Sequence, residues 1–281
     1  MSYFLNLTEL IKDIIFPPLC VVCGKISSSY LCNDCASEIK VFGIKVCNLC
    51  GKPLDEPISM DELSKLTLNM DEWKSSGNDI KFCSLCKNEN YYFYKARSFC
   101  VYEGAAAKII HKYKYRGYGY LSKILVEFLK KAYLNYYINE KIDYIDTVPD
   151  YSVLNYHLRN FATSRNCLDS SKTGFILRKK NIAVNHMQFL ALLFSKVTNI
   201  PFGDNLLKIK ETKKQQKLDR SSRKVNLVEA FKVRNCLDVY GKNFLIIDDV
   251  WTTGSTLNEI SFVMKQSGAN KIFLLTLARP I

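Results

Sequence analysis

The chain has 281 residues, 48% hydrophobic and 24% charged, which is the composition of a globular protein of one or two domains. Its longest central apolar run, residues 189–194, is far shorter than the roughly 20 residues of a membrane helix. Charged residues interrupt positions 1–16, so this stretch predicts a short amphipathic helix rather than a signal peptide. These features argue against secretion and membrane spanning, and we expect a cytoplasmic protein.

The chain is strongly basic. Forty Lys and Arg residues against 27 Asp and Glu give a formal net charge of +13. A surplus of this size favours polyanionic partners, which include nucleic acid, phosphorylated small molecules and anionic lipid. Two zinc sites with four cysteines each would lower the net charge to about +9, so the protein stays basic either way.

Eight of the eleven cysteines form four C-x-x-C pairs near the beginning of the chain. The pairs are Cys20 with Cys23, Cys32 with Cys35, Cys47 with Cys50, and Cys83 with Cys86. Each such turn directs two thiolates at one metal ion, so we predict two structural zinc sites. Gly24 and Gly51 follow two of the pairs, where the turn often needs a positive φ. Sequential pairing closes shorter loops, but a cross-braced pairing is also open.

The pattern divides the chain into a cysteine-rich zinc-binding module at 1–95 and an α/β domain at 96–281. In the first part, a polar stretch at 55–79 is expected to loop out. No hydrophobic periodicity indicates a core there, so zinc is expected to hold the region together. The remaining cysteines, Cys100, Cys167 and Cys236, are predicted to be small core residues.

Strands and helices alternate in the second part, which predicts a parallel sheet covered on both faces. In chain order the patterns predict a strand at 97–102, helices at 105–115 and 120–137, a strand at 142–148, a helix at 181–197, a strand at 202–209, a polar basic stretch at 210–224, a strand at 243–247, a helix at 255–267 and a strand at 271–277.

The most informative segment is FLIIDDVWTTGST, residues 244–256. It combines a buried strand, the carboxylates Asp248 and Asp249, a Thr-Thr-Gly turn and the start of a helix. Ligands of such sheets bind at the carboxyl ends of the strands. The turn and the helix N-terminus can bind a phosphate, and carboxylates can accept hydrogen bonds from ribose hydroxyls. The alternative is an acidic loop whose Asp residues only cap the helix. We favour the sugar-phosphate site, formed by Asp248, Asp249, Thr252, Thr253, Gly254, Ser255 and Thr256.

This segment resembles the phosphoribosyl pyrophosphate (PRPP) motif of type I phosphoribosyltransferases. HKYKYRG at 111–117, KETKKQQKL at 210–218 and RKVNLVEAF at 223–231 are similar to blocks of the ComF family. The resemblance implies an N-terminal double zinc ribbon before a type I phosphoribosyltransferase-like parallel sheet, Mg²⁺ bound with PRPP, and a role in DNA uptake during natural competence. The family's R-G-F-N segment is only weakly matched by RKKNIAVNH at 178–186. This departure from the family pattern counts against catalytic activity.

Two basic segments are candidates for binding pyrophosphate or nucleic acid. In the first, Lys112, Lys114 and Arg116 alternate with tyrosines, a composition that suits single-stranded DNA. Tyr113 and its neighbours could equally pack inward while the lysines lie in water. The second basic segment, residues 208–224, is either a lid over the PRPP site, as its position in the family implies, or a solvated charged loop. Its candidate residues are Lys210, Thr212, Gln215, Arg223 and Asn226.

Three functions are open from the sequence. The first is a ComF-like protein that binds PRPP and single-stranded DNA, with the zinc module as a structural unit or a docking site for DNA-uptake proteins. The second is an active phosphoribosyltransferase that transfers phosphoribosyl from PRPP to a nitrogenous base. The third is a zinc-ribbon adaptor on an inactive phosphoribosyltransferase fold. No catalytic residue is identified, and the three histidines lack metal-ligand spacing.

Overall fold

The computed structural model describes residues 17–43, 45–60, 62, 81–117, 119–150, 185–210 and 229–281. The predicted amphipathic helix at 1–16, most of the predicted loop at 55–79 and almost all of the basic stretch at 210–224 lie outside these ranges. None of the helices in the described ranges has the length and apolarity that crossing a bilayer requires.

The N-terminal part contains short elements between the cysteine pairs. They are α1 (Asn33–Ser37), β1 (Lys40–Val41), β2 (Ile58–Ser59) and α2 (Ser84–Asn88). The longer elements that follow are β3 (Lys95–Val101), α3 (Gly104–Arg116), α4 (Ser122–Tyr136), β4 (Tyr144–Thr147) and α5 (His186–Thr198). A single 3-10 turn, Gly119–Leu121, separates α3 from α4.

The remaining elements are β5 (Leu206–Lys208), β6 (Phe231–Val233), α6 (Cys236–Val239), β7 (Phe244–Val250), α7 (Ser255–Gln266) and β8 (Ile272–Arg279). The strand predicted at 202–209 is shorter than expected and pairs with β6, which the sequence analysis missed. The helix predicted at 181–197 begins at His186 within the described residues. Cys100 is buried as predicted, Cys236 is exposed on α6 and not in the core, and Cys167 lies outside the described ranges.

Six strands of the described part form one sheet in the order β2-β1-β3-β8-β7-β4. Strands β3, β8, β7 and β4 are parallel, whereas β1 pairs antiparallel with both β2 and β3. The predicted parallel α/β sheet is therefore confirmed, and β1 and β2 extend it as antiparallel strands. The parallel register brings the carboxyl ends of β7 and β4 to the same edge, where ligand sites of such sheets lie.

Strand β7 is buried on both faces, as its continuous apolar run predicts. Leu245 and Ile247 belong to a hydrophobic cluster that includes residues of α3, α4 and α5. Phe244 and Ile246 belong to a second cluster, which contains residues of α7 and cysteines of the second zinc group. Helices therefore pack on both faces of the sheet at the first four residues of β7.

The N-terminal part shares its core with the α/β domain. Val21, Ile39 and Val41 belong to the same cluster as α3 and α4. Phe93 and three cysteines belong to the cluster of α7. Zinc was expected to hold this region together because no core was expected there. The expected lack of a core is wrong, since apolar residues of this region belong to the clusters that also contain residues of the sheet. The division at 95/96 stays a prediction.

Candidate functional site: a double cysteine centre and an anion cleft

Two groups of four cysteines are found among the described residues. Each group brings its four thiol sulfurs within 4.8 Å of one another. The groups are Cys20, Cys23, Cys32 and Cys35, and Cys47, Cys50, Cys83 and Cys86. Four thiol donors at this spacing fit a tetrahedral structural zinc ion. The sequential pairing is confirmed and the cross-braced alternative is excluded.

The local turns explain how the thiolates are stabilised. Gly24 and Gly51 have φ values of 76° and 67°, as their positions in the turns predicted. Burial raises the pKa of Cys20, but backbone hydrogen bonds such as that from Cys32 outweigh it and lower the pKa to about 6. A hydrogen bond with Cys50 lowers the pKa of Cys47 to about 4. Burial raises the pKa values of Cys35 and Cys86, and the hydrogen bond with Cys47 raises that of Cys50. Each group therefore favours one thiolate before the metal binds, and zinc, which binds the thiolate form, would deprotonate the other thiols.

A cleft of about 900 Å³ opens at the carboxyl end of β7. It is lined by the end of β7, most of the turn at 251–254, the start of α7, the second half of α3, the start of α5 and the segment that follows β4. The predicted sugar-phosphate residues Asp248, Asp249, Thr252, Gly254, Ser255 and Thr256 all line it. Thr253 is placed in the same turn, where its hydroxyl lies 2.9 Å from the Ser255 hydroxyl.

The turn between β7 and α7 places backbone N–H groups at the cleft. Gly254 has a φ of 75°, and an added Cβ would lie 2.3 Å from Cζ2 of Trp251. Only glycine meets both requirements. Helix α7 follows directly at Ser255, and the N–H groups of its first turn have no partner four residues earlier in the helix. The turn and the helix N-terminus can therefore bind an anion.

The acidic pair has unequal surroundings. Burial and the neighbouring Asp249 raise the pKa of Asp248 to about 8. Asp249 instead forms an ion pair with Lys114 of α3, and its side chain is 13% exposed. Burial lowers the pKa of Lys114, but the carboxylate of Asp249 outweighs this effect and raises it above its ordinary value. The two carboxyls therefore differ: burial and the charge of Asp249 favour a proton on Asp248, whereas Asp249 is paired with a cation.

The basic helix α3 is oriented by contacts within the protein. Tyr113 is buried, and its hydroxyl donates a hydrogen bond to the carbonyl of His186 at 2.8 Å. Lys112 donates to the carbonyl of Val21 at 2.6 Å. Tyr113 thus packs inward, the alternative that the sequence left open. Lys114 points into the cleft, whereas Arg116 is exposed at the end of the helix.

The second basic segment is described only at its edges. Lys210 is exposed, and Thr212, Gln215, Arg223 and Asn226 lie outside the described residues. Lys208 and Phe231, on either side of that segment, both line the cleft.

Asn185 was missed as a site residue. It is 8% exposed, lines the cleft and caps α5 by accepting hydrogen bonds from the N–H groups of Met187 and Gln188. Its amide nitrogen has no hydrogen-bond partner among the described residues, so it can donate to a ligand. An Asn before an apolar helical run predicts a cap, but nothing local indicates the cleft beside it.

Comparison with known proteins gives partial matches. Residues 11–65 match the family model of the double zinc ribbon domain. Competence protein F of Haemophilus influenzae is 35% identical over 97 residues, which are 34% of this chain and 42% of that protein. DNA utilization protein YhgH of Escherichia coli (strain K12) is 36% identical over 79 residues, 28% of this chain and 34% of that protein. The matches thus span less than half the length of these relatives.

Proposed function

We propose that this ComF-like protein, which carries an N-terminal double zinc ribbon, binds a ribose 5-phosphate ligand such as PRPP and serves in DNA uptake or utilisation. One observation carries the ligand proposal. The acidic pair, Asp248 and Asp249, and the turn at 251–254, called the anion-binding turn below, belong to a single cleft of about 900 Å³. The names of the relatives support the DNA role, since they are a competence protein and DNA utilization proteins.

Each part of a sugar phosphate has a matching group in the cleft. The turn at 252–254 and the first turn of α7 would bind the 5′-phosphate through N–H groups and hydroxyls. Asp248 and Asp249 would accept hydrogen bonds from the ribose hydroxyls. Their carboxylate oxygens also fit Mg²⁺, which would neutralise the phosphates of PRPP. Lys114 would exchange its contact with Asp249 for a phosphate of the ligand, because both are anions within its reach.

Calorimetric titration with PRPP, with and without Mg²⁺, tests the ligand proposal. The double variant Asp248→Asn, Asp249→Asn should abolish the heat, because it removes the acceptors for ribose and metal. Asp238→Asn is the matched control, since Asp238 is exposed on α6 and does not line the cleft. Absence of heat with the wild-type protein would refute the ligand proposal, whereas the DNA role is tested separately below.

A working phosphoribosyltransferase is the second candidate. The buried amide nitrogen of Asn185, which has no hydrogen-bond partner among the described residues, favours it as a further donor to a reacting ligand in the cleft. In that reaction a nitrogen nucleophile bonds to C1 of the ribose as the bond to pyrophosphate breaks, and the cleaved pyrophosphate carries the electron pair away. Cations at the cleft would stabilise the leaving group. Pyrophosphate release across a panel of nucleobases tests this reaction. Turnover with any base supports it, and binding of PRPP without turnover on the panel counts against it.

We propose that the exposed basic end of helix α3 binds single-stranded DNA. Arg116 and Tyr115 are exposed at the end of α3, where a cation can contact phosphate and an aromatic ring can stack on a base. Fluorescence anisotropy of a labelled oligonucleotide should show affinity that falls steeply between 50 and 200 mM salt. Arg116→Gln should reduce the salt slope by about one, whereas Lys131→Gln on α4 should not. No binding, or binding without salt dependence, would refute the DNA contact.

A further inference from the structure

The second cysteine group is packed directly on the central sheet. The carbonyl of Leu49, inside the Cys47–Cys50 turn, accepts a hydrogen bond from the N–H of Ala96 at 2.7 Å. A Cβ added at Gly51 would lie 2.5 Å from the carbonyl oxygen of Ala96, so the turn touches the backbone of β3. This close contact makes the zinc turn a part of the α/β domain's own packing.

Two buried arginines bind the carbonyls of this turn. Arg97 of β3 donates to Cys47 at 3.4 Å and to Asn48 at 3.1 Å. Arg279 of the neighbouring strand β8 donates to the carbonyl of Cys50 at 2.6 Å. The side chains are 9% and 7% exposed. A Zn(Cys)4 centre carries about −2, so two guanidinium groups beside it are electrostatically matched.

Arg279 connects the zinc turn to the anion-binding turn. Its guanidinium lies 5.4 Å from the ring centroid of Trp251, and the N–H of Trp251 donates to the carbonyl of Ala278. The Trp251 ring in turn contacts Gly254 so closely that a Cβ there would overlap it. Four residues therefore form a continuous path of contacts from the metal ligand Cys50 to the turn of the cleft.

The segment that follows the second group holds α7 as well. The N–H of Tyr92 donates to the side-chain oxygen of Asn258 at 2.9 Å, and the rings of Tyr92 and Phe262 lie 4.8 Å apart. Phe93 meets Trp251 edge to face, with the ring centroids 5.7 Å apart. The helix whose N-terminus lines the cleft is thus attached on its side to the chain leaving Cys86.

The first cysteine group makes a different attachment. Its Cys20–Cys23 turn accepts a hydrogen bond from Lys112, through the carbonyl of Val21. This contact braces α3, which forms another wall of the cleft. No hydrogen bond or ring contact of the described residues joins the first group to Trp251.

We propose that the second zinc site positions the anion-binding turn, with Arg279 and Trp251 as the positioning residues between them. The effect on ligand affinity rests on the proposed sugar-phosphate site, but the effect on Trp251 does not. Zinc at Cys47, Cys50, Cys83 and Cys86 would hold the carbonyl of Cys50 in place, and Arg279 would then hold the Trp251 ring against Gly254.

Trp251 can report on its own surroundings. The chain has two tryptophans, Trp73 and Trp251, so Trp73→Phe leaves Trp251 as the only one. In this background, Arg279→Gln is compared with Arg97→Gln. Both arginines are buried and contact the second zinc turn, but Arg97 lies over Tyr136 and not over Trp251. For each variant we measure the zinc content and the far-ultraviolet circular dichroism, which report on metal binding and folding. Trp251 emission and its quenching by acrylamide report on the surroundings of the ring, and calorimetry gives the affinity for ribose 5-phosphate.

At equal zinc content, Arg279→Gln should shift Trp251 emission to the red, increase quenching and weaken ribose 5-phosphate binding at least tenfold. Arg97→Gln should leave Trp251 emission, acrylamide quenching and ribose 5-phosphate affinity unchanged. Equal responses of the two variants, or no response of Trp251 to Arg279→Gln, would overturn the proposal.

Loss of one zinc provides a second test. Cys83→Ser with Cys86→Ser removes the second site, and Cys20→Ser with Cys23→Ser removes the first. Only loss of the second site should change Trp251 emission while helical content is kept. A change in Trp251 emission on loss of the first site, but not on loss of the second, would overturn the coupling. If wild-type protein does not bind ribose 5-phosphate but Trp251 still responds to loss of the second site, the coupling stands and the proposed ligand fails.

Discussion

Asp248→Asn should remove a penalty that burial of this carboxyl imposes on the folded protein at neutral and alkaline pH. The pKa of Asp248 is raised from 3.8 to about 8, first by burial and then by the charge of Asp249. Between these pH values the folded state keeps a proton that the unfolded state has released. The free energy of unfolding of the wild-type protein therefore falls as the pH rises through this window.

The size of the effect follows from 1.36 kcal/mol per pKa unit. From pH 5 to pH 8 the penalty grows by ~3 kcal/mol, whereas an Asn at the same position does not titrate. Urea unfolding followed by circular dichroism at pH 5, 6, 7 and 8 gives the free energy of unfolding of each protein. The stability of the variant relative to wild type should increase steadily across this series.

Taking the difference between the two proteins removes the titrations of groups that do not interact with Asp248. Burial also raises the pKa of Asp146 to about 7, but this carboxyl is present in both proteins and cancels. Asp238→Asn, at an exposed position, should give a difference that does not depend on pH. Parallel stability curves for Asp248→Asn and wild type would show that Asp248 ionises normally, and the reasoning about the cleft would be refuted.

Three further predictions concern the cleft and the metal. Gly254→Ala should destabilise the protein by ~1 to 2 kcal/mol through its positive φ, and should also weaken ribose 5-phosphate binding because the methyl group displaces Trp251. Gly241→Ala has a similar φ but open space around it, so calorimetry should show unchanged binding. Lys114→Met should raise the pKa of Asp248 further, because the charge of Lys114 lowers it; carbon NMR of the carboxyl measures this pKa, and no change would contradict the effect of Lys114 on Asp248. Chelation of both zinc ions should lower the melting temperature of the whole protein in a single transition. The reason is that residues of both cysteine-pair regions belong to the hydrophobic clusters of the sheet. A separate early transition would contradict this shared core.

The sequence by itself determined the features that depend on neighbouring residues. The C-x-x-C turns with Gly24 and Gly51 were predictable because two thiols and a positive-φ glycine define such a turn locally. The strand, turn and helix of 244–256 were predictable for the same reason, since apolar periodicity, the Thr-Thr-Gly turn and the helix start lie within one short segment. Strand bounds were less accurate: β7 continues to Val250 and so includes the acidic pair.

Only the tertiary structure decided which of these segments meet. Lys114 reaches Asp249 across 135 positions, and Arg279 reaches Cys50 across 229. Such contacts depend on the register of β3, β8 and β7 and on the packing of α3, which no local pattern encodes. The shared core of the N-terminal part escaped prediction for the same reason. Apolar residues of that part, such as Val21, Ile39 and Val41, belong to clusters whose other members include residues from distant parts of the chain.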